Sequence, residues 1–466
     1  MSIGNIFKAY DVRAIYPDPL NEDAGWKVGY GTGEFLKQKN GGKPGVVAVS
    51  RDMRPAAPSM SDALIAGLRA TGVDVIDLGM CDTSMQYFAV PHLNAIGGVQ
   101  TTASHNPLQY IGYKISGPGA RPIGKDTGLA DIEKIARSLS GNCPPPKGKL
   151  SQLDLWSEYR KHVLGFLAPP KRKLRVFADA SNGMATTLLP KVFDGVPNVE
   201  VIRINDAYVD KWAHEPNPLV PANVVPTQEG VKQHKADLGA SFDGDADRCM
   251  LVDDAGGICG CDHLTAMLAS HFVAIARSNP ADKTPTTIVY DLRASKVVEE
   301  TILALEAKPA MSKVGHVNIK ALLRETDGIF GGELSGHFYF KHNSFADSGA
   351  ITLASALSVL GQTDQPLSKL IAPFRKYPQS GEQNFKAQDK AGIMAGLKTD
   401  FGGGGQVYEL DGVSVDQWEA KGWWFNVRAS NTEPLLRLNA EAKDPATLDK
   451  LMAELTPRLG EPDHGH

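Results

Sequence analysis

The chain has 466 residues, of which 42% are apolar and 22% charged, and its 49 Lys and Arg against 53 Asp and Glu give a net charge of −4. This is the composition of a globular protein of about three or four domains, and it excludes an intrinsically disordered chain. Because there is no basic excess, binding of nucleic acid or of an anionic membrane through a global electrostatic field is also excluded. An anionic ligand would need a local basic pocket.

The cysteine content and the apolar runs indicate the compartment. Five cysteines in a chain of this length do not form a disulfide framework, and their odd number leaves one unpaired in any scheme. The sequence contains no run of 18 apolar residues, and residues 1–13 contain no apolar signal-peptide core. We therefore expect a cytoplasmic location and no membrane-spanning segment.

A pattern of strands and helices occurs three times along the chain. In each copy, an apolar run ends in polar or small residues, a helical stretch such as Ala57–Ala70 and a second apolar run follow, and a third run ends in a polar loop. The first runs are Val46–Val49, Leu174–Ala178 and Thr287–Tyr290, the second runs are Val73–Leu78, Val199–Ile204 and Ala310–Val314, and the third runs lead into loops at 102–107, 241–248 and 331–337. This alternation predicts mainly parallel sheets covered by helices, with ligands at the carboxyl ends of the strands.

The chain after about residue 367 has a different pattern. It contains the glycine run Gly402–Gly405, alternating stretches at Val407–Val413 and Trp424–Val427, and an amphipathic helix at Ala446–Leu459. The sequence therefore predicts an α/β protein with three similar α/β/α domains and a smaller C-terminal α+β domain. The predicted domains are residues 1–148, 149–255, 256–366 and 367–466.

Three carboxylates follow the third apolar run of the second copy. Asp243, Asp245 and Asp247 alternate within five residues, and carboxylate oxygens are ligands that a hard divalent cation prefers. An EF-hand is excluded because Arg248 stands where that loop requires glycine. A phosphatase of the D-x-D-x-[TV] type would require Thr or Val at position 247. A solvated acidic turn is the alternative that this motif alone leaves open.

A serine lies in the corresponding loop of the first copy. Ser104 is followed by His105, Asn106 and Pro107, a combination that is typical of an Asx-type turn. The sequence has no G-x-S-x-G motif and no Ser-His-Asp order that would support a hydrolase. A hydroxyl that faces a metal site would favour phosphoryl transfer instead.

A third group of polar residues is suited to a phosphate. Arg428 contributes a planar guanidinium fork, and Ser430, Asn431 and Thr432 add two hydroxyls and an amide within five residues. A capped turn is the alternative for this motif.

The loop of the third copy is suited to a sugar. Glu333, Ser335 and His337 alternate at what we predict to be a strand end, which would turn the three side chains to one face. Donors and acceptors on one face are what neighbouring sugar hydroxyls require.

Together these motifs resemble the α-D-phosphohexomutase family, most closely its bacterial phosphomannomutase/phosphoglucomutase branch. The resemblance covers nearly the whole chain and is carried by F-K-A-Y-D-V-R at 7–13, R-D-M-R at 51–54, the serine loop with Lys114, D-G-D-x-D-R at 243–248, Gly315-His316, G-G-E-x-S-G-H at 331–337 and R-x-S-N-T-x-P at 428–434. It implies a four-domain enzyme in which three domains of one α/β fold and a fourth surround a central cleft.

The resemblance also implies the roles of individual residues. Ser104 would be a phosphoserine that binds Mg²⁺ together with Asp243, Asp245 and Asp247. Its phosphoryl group would pass to a hexose phosphate, mannose and/or glucose, to give a hexose 1,6-bisphosphate whose opposite phosphate returns to the serine. The residues implied in catalysis are Ser104, His105, Lys114 and His337, and those implied in substrate binding are Tyr10, Arg13, Arg248, Arg293, His316, Glu333, Ser335, His337, Arg428, Ser430, Asn431 and Thr432. Either Lys114 or His337 would be the general acid/base.

Three positions depart from the pattern of that family. Ile111 stands where an Asn commonly precedes the glycine before Lys114, Arg293 stands where members have Lys, and Leu334 stands where the mannose/glucose branch usually has Met and the phosphoglucosamine branch Gln. Phosphoglucosamine mutase is therefore an alternative function. A metal-dependent sugar phosphatase and a non-catalytic sugar-phosphate-binding protein are alternatives of a different class. We expect hexose phosphates as ligands, no nucleic-acid or membrane partner, and a monomer or weak dimer.

Overall fold

A computed structural model of the chain describes residues 3–140, 144–278, 286–430 and 435–463. The chain forms two compact units. Unit 1 comprises Met1–Gly260 and Ser335–Leu370, and unit 2 comprises Cys261–Leu334 and Ile371–His466. Within the described ranges, no helix combines the length and the apolar character that crossing a bilayer requires.

The first repeat lies in unit 1 and is built on a mixed sheet. Its elements are β1 (Val12–Ile15), α1 (Glu22–Lys39), β2 (Val46–Arg51), α2 (Ala57–Ala70), β3 (Asp74–Met80), α3 (Thr83–His92), β4 (Gly97–Thr101), β5 (Tyr110–Gly117), β6 (Arg121–Pro122), α4 (Leu129–Ser138) and β7 (Leu150–Gln152). The strand order is β1-β5-β4-β2-β3-β7, with β6 beside β5. Strand β2 is parallel to β3 and β4, whereas β5 is antiparallel to β1, β4 and β6. This sheet is therefore less parallel than the sequence predicts.

Helix α2 has the predicted bounds, and its sequence explains them. Pro58 lies in the first turn, where its missing N–H removes no intrahelical hydrogen bond. Leu64, Ile65 and Leu68 recur at helical spacing and are buried in the core of the first repeat.

The second repeat also lies in unit 1. Its elements are α5 (Trp156–Leu164), β8 (Leu174–Asp179), α6 (Ala185–Phe193), β9 (Val199–Ile204), α7 (Pro221–His234), β10 (Leu238–Phe242) and β11 (Cys249–Asp253). Strand β8 is parallel to both β9 and β10, and β11 is antiparallel to β10. Every residue of β10 is buried, so the strand that carries the acidic loop is a rigid central element.

The third repeat begins in unit 2 and ends in unit 1. Its elements in unit 2 are α8 (Cys261–Arg277), β12 (Thr287–Asp291), α9 (Lys296–Ala304), β13 (Lys308–Ser312), α10 (His316–Glu325) and β14 (Phe330–Gly332), and those in unit 1 are β15 (Phe338–Phe340), β16 (Ala346–Asp347) and α11 (Gly349–Gly361). Strand β12 is parallel to β13 and β14. Strand β13 begins two residues before the predicted run at Ala310–Val314 because it pairs along the full length of β12.

The C-terminal part of the chain forms an antiparallel sheet with helices. Its elements are α12 (Leu367–Ile371), β17 (Gln383–Lys386), α13 (Lys390–Phe401), β18 (Gln406–Tyr408), β19 (Val413–Asp416), α14 (Trp418–Lys421), β20 (Trp423–Ala429), β21 (Leu435–Ala442), α15 (Pro445–Leu459) and β22 (Glu461–Asp463). The strand order is β18-β19-β20-β21-β17-β22. The chain turns between β18 and β19, within the alternating stretch at Val407–Val413, and Gly412 there has φ 72°. The predicted last helix is α15.

The three repeats share a turn at the ends of β2, β8 and β12, the strands that the three first apolar runs form. A buried Asp there accepts a hydrogen bond from the backbone N–H two residues later, which fixes the turn at the carboxyl edge of the sheet. The pairs are Asp52 with Arg54, Asp179 with Ser181, and Asp291 with Arg293. The loops after β4, β10 and β14 leave the carboxyl ends of the strands that the three third apolar runs form. Polar side chains therefore gather at these edges of the sheets.

Candidate active site

Three carboxylates of unit 1 lie together at the carboxyl end of β10. Asp243, Asp245 and Asp247 are buried, and one oxygen of each lies within 4.8 Å of an oxygen of the others. Ala246 adopts a left-handed conformation with φ 59°, which curves the loop and brings the three side chains together. The predicted acidic cluster is thus a buried cluster rather than a solvated turn.

The charges around this cluster are unevenly distributed. Burial, with the charges of Asp247 and Asp245, raises the pKa of Asp243 well above its ordinary value. Burial alone would also raise the pKa of Asp247, but the interactions of its carboxylate with Lys114, His337 and Arg248 outweigh burial and lower that pKa well below its ordinary value. The positive charge near the cluster therefore favours the ionised form of Asp247 more than that of Asp243.

Lys114 supplies the positive charge closest to the cluster. Its Nζ lies 2.7 Å from Asp245 Oδ2 and 2.6 Å from Asp247 Oδ2. Burial alone would lower the pKa of Lys114, but the two carboxylates raise it well above its ordinary value. The lysine therefore stays protonated in this position.

The cluster fits a hard divalent cation. Asp245 Oδ1 is buried and accepts no hydrogen bond from any residue that the structure describes. Ser104 Oγ lies 3.2 Å from Asp243 Oδ2 and adds a hydroxyl oxygen to the three carboxylates. Because all of these donors are oxygens, the set suits Mg²⁺, and Ser104, Asp243, Asp245 and Asp247 are the residues that would hold it.

Ser104 follows β4 in a strained and buried turn. Its φ is 52°, an uncommon value for a residue other than glycine, and it is 1% exposed. Its backbone N–H donates to Thr102 Oγ1 at 2.9 Å, and its Oγ lies 3.4 Å from His105 Nδ1. Burial, together with the charge of Arg248, lowers the pKa of His105 well below its ordinary value, so this histidine is neutral near pH 7.

His337 and Arg248 extend the cluster within unit 1. Arg248 Nε donates to His337 Nε2 at 3.3 Å, and Arg248 Nη2 lies 3.2 Å from His105 Nδ1. His337 Nδ1 lies 3.0 Å from Ser335 Oγ. Arg248 also lies 3.6 Å from the Asp243 carboxylate and His337 3.4 Å from that of Asp247, so these two residues connect Ser335 and His105 to the acidic cluster.

The prediction that Glu333, Ser335 and His337 alternate along a strand end is wrong. The structure has a turn between β14 and β15, and Gly336 has φ 86°, which a strand does not allow. Glu333 belongs to unit 2, whereas Ser335 and His337 belong to unit 1.

The site residues of unit 2 form a cluster of guanidinium groups. Glu382 accepts hydrogen bonds from Arg293 Nη1 at 3.1 Å, Arg428 Nη2 at 3.0 Å and Arg437 Nη1 at 3.2 Å. Burial alone would raise the pKa of Glu382, but the charges of the three arginines lower it to about 2. Arg293 Nη2 also pairs with Asp291 at 2.8 Å and lies 3.6 Å from Glu333 Oε1. This cluster is suited to an anion.

Four of the six remaining predicted residues lie within the described part of the structure. Arg13 on β1 donates to Asn106 Oδ1 of the serine loop, and Tyr10, two residues before β1, is half-buried. In unit 2, the N–H of Gly315, the residue before His316, donates to Glu333 Oε1 at 3.1 Å. Ser430 is buried after β20, while Asn431 and Thr432 lie outside the described residues.

The whole chain matches models of one family in order. The match is to phosphoglucomutase/phosphomannomutase alpha/beta/alpha domain I over residues 4–141, domain II over 157–257, domain III over 261–377 and the C-terminal domain over 384–457. The chain belongs to the phosphoglucomutase/phosphomannomutase family. The resemblance predicted from the motifs and the four-domain α/β architecture are thereby confirmed.

Relatives of this family member are similar over nearly their full length. A protein of Xanthomonas campestris named "Phosphohexose mutases" is 37% identical, with 95% of this chain and 96% of that protein covered. A phosphomannomutase of Salmonella typhimurium is 36% identical, with 94% of each covered. A solved phosphoglucomutase/phosphomannomutase family protein of Burkholderia thailandensis has a TM-score of 0.86 at 28% identity, with 98% of each chain covered. The chain is therefore a phosphohexomutase, as the resemblance implies.

Two groups of residues in this phosphohexomutase have no predicted role in the sequence motifs. Glu382 at the centre of the guanidinium cluster stands outside every motif, and no local pattern marks it. Asp52 and Arg54 belong to the R-D-M-R motif at 51–54, and they hydrogen-bond to the serine loop through Thr102 and the Ser104 carbonyl. A signal was present, because D-x-R occurs at the same place in the first and third repeats, at 52–54 and at 291–293.

Proposed function

We propose that this phosphohexomutase interconverts mannose 6-phosphate and mannose 1-phosphate, and the corresponding glucose phosphates, through a phosphorylated Ser104. The observation that carries this proposal is the position of Ser104 Oγ, 3.2 Å from the Asp243 carboxylate at the edge of the acidic cluster. The names of the relatives, phosphomannomutase and phosphohexose mutases, support mannose phosphates as substrates, and the phosphoglucomutase/phosphomannomutase description of the family supports glucose phosphates beside them.

The first half-reaction transfers the phosphoryl group to the sugar. A hydroxyl oxygen of the hexose phosphate forms the new P–O bond while the bond from phosphorus to Ser104 Oγ breaks. The proton of the attacking hydroxyl passes to a base, for which Lys114 and His337 are the two candidates, and is then passed on to the Ser104 oxygen, which ends as a hydroxyl. The product is a hexose 1,6-bisphosphate. The second half-reaction is the reverse, with the opposite phosphate.

The residues of unit 1 are proposed to bind the phosphoryl group that is transferred and to move the proton of the attacking hydroxyl. Mg²⁺, held by Ser104, Asp243, Asp245 and Asp247, would neutralise charge on the transferring phosphoryl group. Arg248 contacts both His105 and His337 and is placed to bind oxygens of the same group. Lys114 has to release at least one of its two carboxylates to act as a base, because together they keep it protonated.

The residues of unit 2 are proposed to bind the phosphate that is not being transferred. Arg428 would grip it as a bidentate fork, with Arg293 beside it, and Ser430, Asn431 and Thr432 would complete the contact. Glu333, Ser335, His337 and His316 are assigned to the sugar hydroxyls, and Tyr10 and Arg13 to the substrate at the serine loop. The monomeric or weakly dimeric state and the cytoplasmic location stay predictions.

The test is the identity and the fate of the phosphorylated residue. Enzyme that has been incubated with glucose 1,6-bisphosphate and Mg²⁺ is digested, and its phosphopeptides are sequenced by mass spectrometry. We expect an acid-stable phosphate on Ser104, and we expect Ser104→Ala to remain folded and lose nearly all mutase activity. A label on Thr101 or Thr102, or an acid-labile aspartyl phosphate, would contradict the proposal.

A substrate comparison tests the sugar. Turnover of mannose 1-phosphate, glucose 1-phosphate and glucosamine 1-phosphate is measured with the same enzyme preparation. We expect the first two to be converted at higher kcat/KM than the third. A preference for glucosamine 1-phosphate would assign the chain to the phosphoglucosamine alternative, and hydrolysis without isomerisation would indicate a phosphatase.

A further inference from the structure

One buried arginine is occupied almost entirely with the backbone of the serine loop. Arg54 is 1% exposed, and its guanidinium group donates to four main-chain carbonyls of that loop. The acceptors are Ser104 O at 2.7 Å, Asn106 O at 2.6 Å, Pro107 O at 2.6 Å and Tyr110 O at 3.1 Å. A planar group with donors fixed in a fork can hold several carbonyls at once only if they keep one mutual geometry.

The arginine is itself held in place from three sides. Its Nε donates to Asp52 Oδ2 at 3.1 Å, and its backbone N–H donates to Asp52 Oδ1 at 2.9 Å. The indole ring of Trp212 lies 5.2 Å from the guanidinium carbon. Asp52 is completely buried and directly follows β2. The sheet of the first repeat therefore fixes the position of Arg54.

A second connection runs from the same aspartate to the backbone of Ser104. Thr102 Oγ1 donates to Asp52 Oδ2 at 2.7 Å and accepts from the N–H of Ser104 at 2.9 Å. The residue whose oxygen would carry the phosphoryl group is thus held at its N–H through Thr102 and at its carbonyl by Arg54. This is a sufficient reason for Ser104 to keep its left-handed φ of 52°.

We infer that Arg54 is a positioning residue for phosphoryl transfer, which fixes the serine loop so that Ser104 Oγ faces the acidic cluster. The inference rests on the proposed role of Ser104. The terminal nitrogens of Arg54 donate to backbone carbonyls of the serine loop. Arg54 therefore affects the geometry of the transfer and not the affinity for the sugar phosphate. Misplacement of a reacting group by about 1 Å costs on the order of 100-fold in rate.

The experiment compares Arg54→Lys with a control arginine of the same repeat. Arg69 also donates to a main-chain carbonyl, but to that of Gly148, which is not part of the serine loop. Each variant is phosphorylated with glucose 1,6-bisphosphate, and transfer to mannose 1-phosphate is followed in a single turnover. We expect Arg54→Lys to slow the transfer about 30- to 100-fold, with less than about a threefold change in the Kd of mannose 1-phosphate. Arg69→Lys should change neither.

Thr102→Val keeps the inference testable if Arg54→Lys does not fold. The valine retains the shape of threonine but removes the hydroxyl between Asp52 and the Ser104 N–H, and we expect transfer to slow about 5- to 10-fold at unchanged Kd. Transfer at the wild-type rate in Arg54→Lys, or in Thr102→Val if the first does not fold, would overturn the inference. So would a loss of transfer and of substrate binding in equal proportion. Absence of phosphate on Ser104 in the wild-type enzyme would instead refute the proposed function.

Discussion

The two units of the molecule collect charge of opposite sign. In unit 1, the ammonium of Lys114 pairs with two of the three buried carboxylates, and in unit 2, three guanidinium groups surround the carboxylate of Glu382. In each cluster, side chains of the opposite charge partly neutralise the like charges, which lowers the cost of assembling them in the folded chain. A ligand that carries the same charge as Lys114 or Glu382 has to compete with that side chain. Its affinity is therefore the strength of its own contacts less that of the ion pairs it displaces.

The two D-x-R turns, at 52–54 and at 291–293, also differ in the charge of the groups that their arginines contact. In the first repeat, Asp52 holds Arg54, whose remaining donors go to main-chain carbonyls. In the third repeat, Asp291 holds Arg293, whose remaining donors face the carboxylates of Glu333 and Glu382. One turn therefore fixes a loop, while the other presents a positive charge to side chains that an anionic ligand can replace.

The largest effect is expected from removing one carboxylate of unit 1. Asp245→Asn takes away a charge that holds both Lys114 and the proposed metal ion. We expect mutase activity to fall by at least about 100-fold, and Mg²⁺ binding measured by calorimetry to weaken. Asp62→Asn, at an exposed position on α2, is the matched control and should behave as wild type. Full activity of Asp245→Asn, or of wild type after exhaustive chelation, would contradict the metal assignment.

The next effect concerns the arginines of unit 2. Arg428→Lys keeps the charge but loses the planar fork, and a charge-assisted hydrogen bond is worth about 1.5–3 kcal/mol, or roughly 10- to 150-fold in binding of glucose 1,6-bisphosphate. Arg437→Lys is the sharper control, because Arg437 contacts the same Glu382. We expect it to change binding less than Arg428→Lys. Equal binding by Arg428→Lys and wild type would make Arg428 a structural residue.

A smaller effect tests competition in the acidic cluster. Lys114→Met removes the ammonium that pairs with Asp245 and Asp247, so Mg²⁺ should bind roughly tenfold more tightly even as mutase activity falls. Lys125→Met, at an exposed position, controls for the loss of a positive charge in the same repeat. Unchanged or weaker Mg²⁺ binding in Lys114→Met would show that the lysine does not compete with the ion.

The smallest effect is a change in the pH dependence of stability. The pKa of Glu382 is lowered from 4.5 to about 2, so its ion pairs stabilise the folded state fully above pH 4.5 and are lost as the pH falls towards 2. Glu382→Gln removes this titration, and its thermal stability should fall less between those pH values. Because the carboxylate is partly accessible, the difference should be about 1 kcal/mol or less. Glu409→Gln, at an exposed glutamate of the same unit, should keep the wild-type dependence.

Much of the molecule follows from local sequence. The three repeats, the bounds of α2 and the last helix are set by apolar spacing, which depends only on neighbouring residues. The three aspartates share one loop, so their grouping was visible in the sequence, as was the D-x-R turn that hydrogen-bonds to itself. The alternation over Val407–Val413 does not reveal that a glycine with positive φ lets the chain reverse there, between β18 and β19.

The tertiary structure alone decided which charges meet. Lys114 and Asp245 are 131 residues apart, Arg428 and Glu382 are 46 apart, and Arg54 lies 50 residues from the Ser104 carbonyl that it holds. No periodicity links such positions, because their contact depends on which strands become neighbours in a sheet and which loops leave the same edge. The sequence determined the chemistry of each group on its own, and the packing of the sheets determined which group of opposite charge neutralises it.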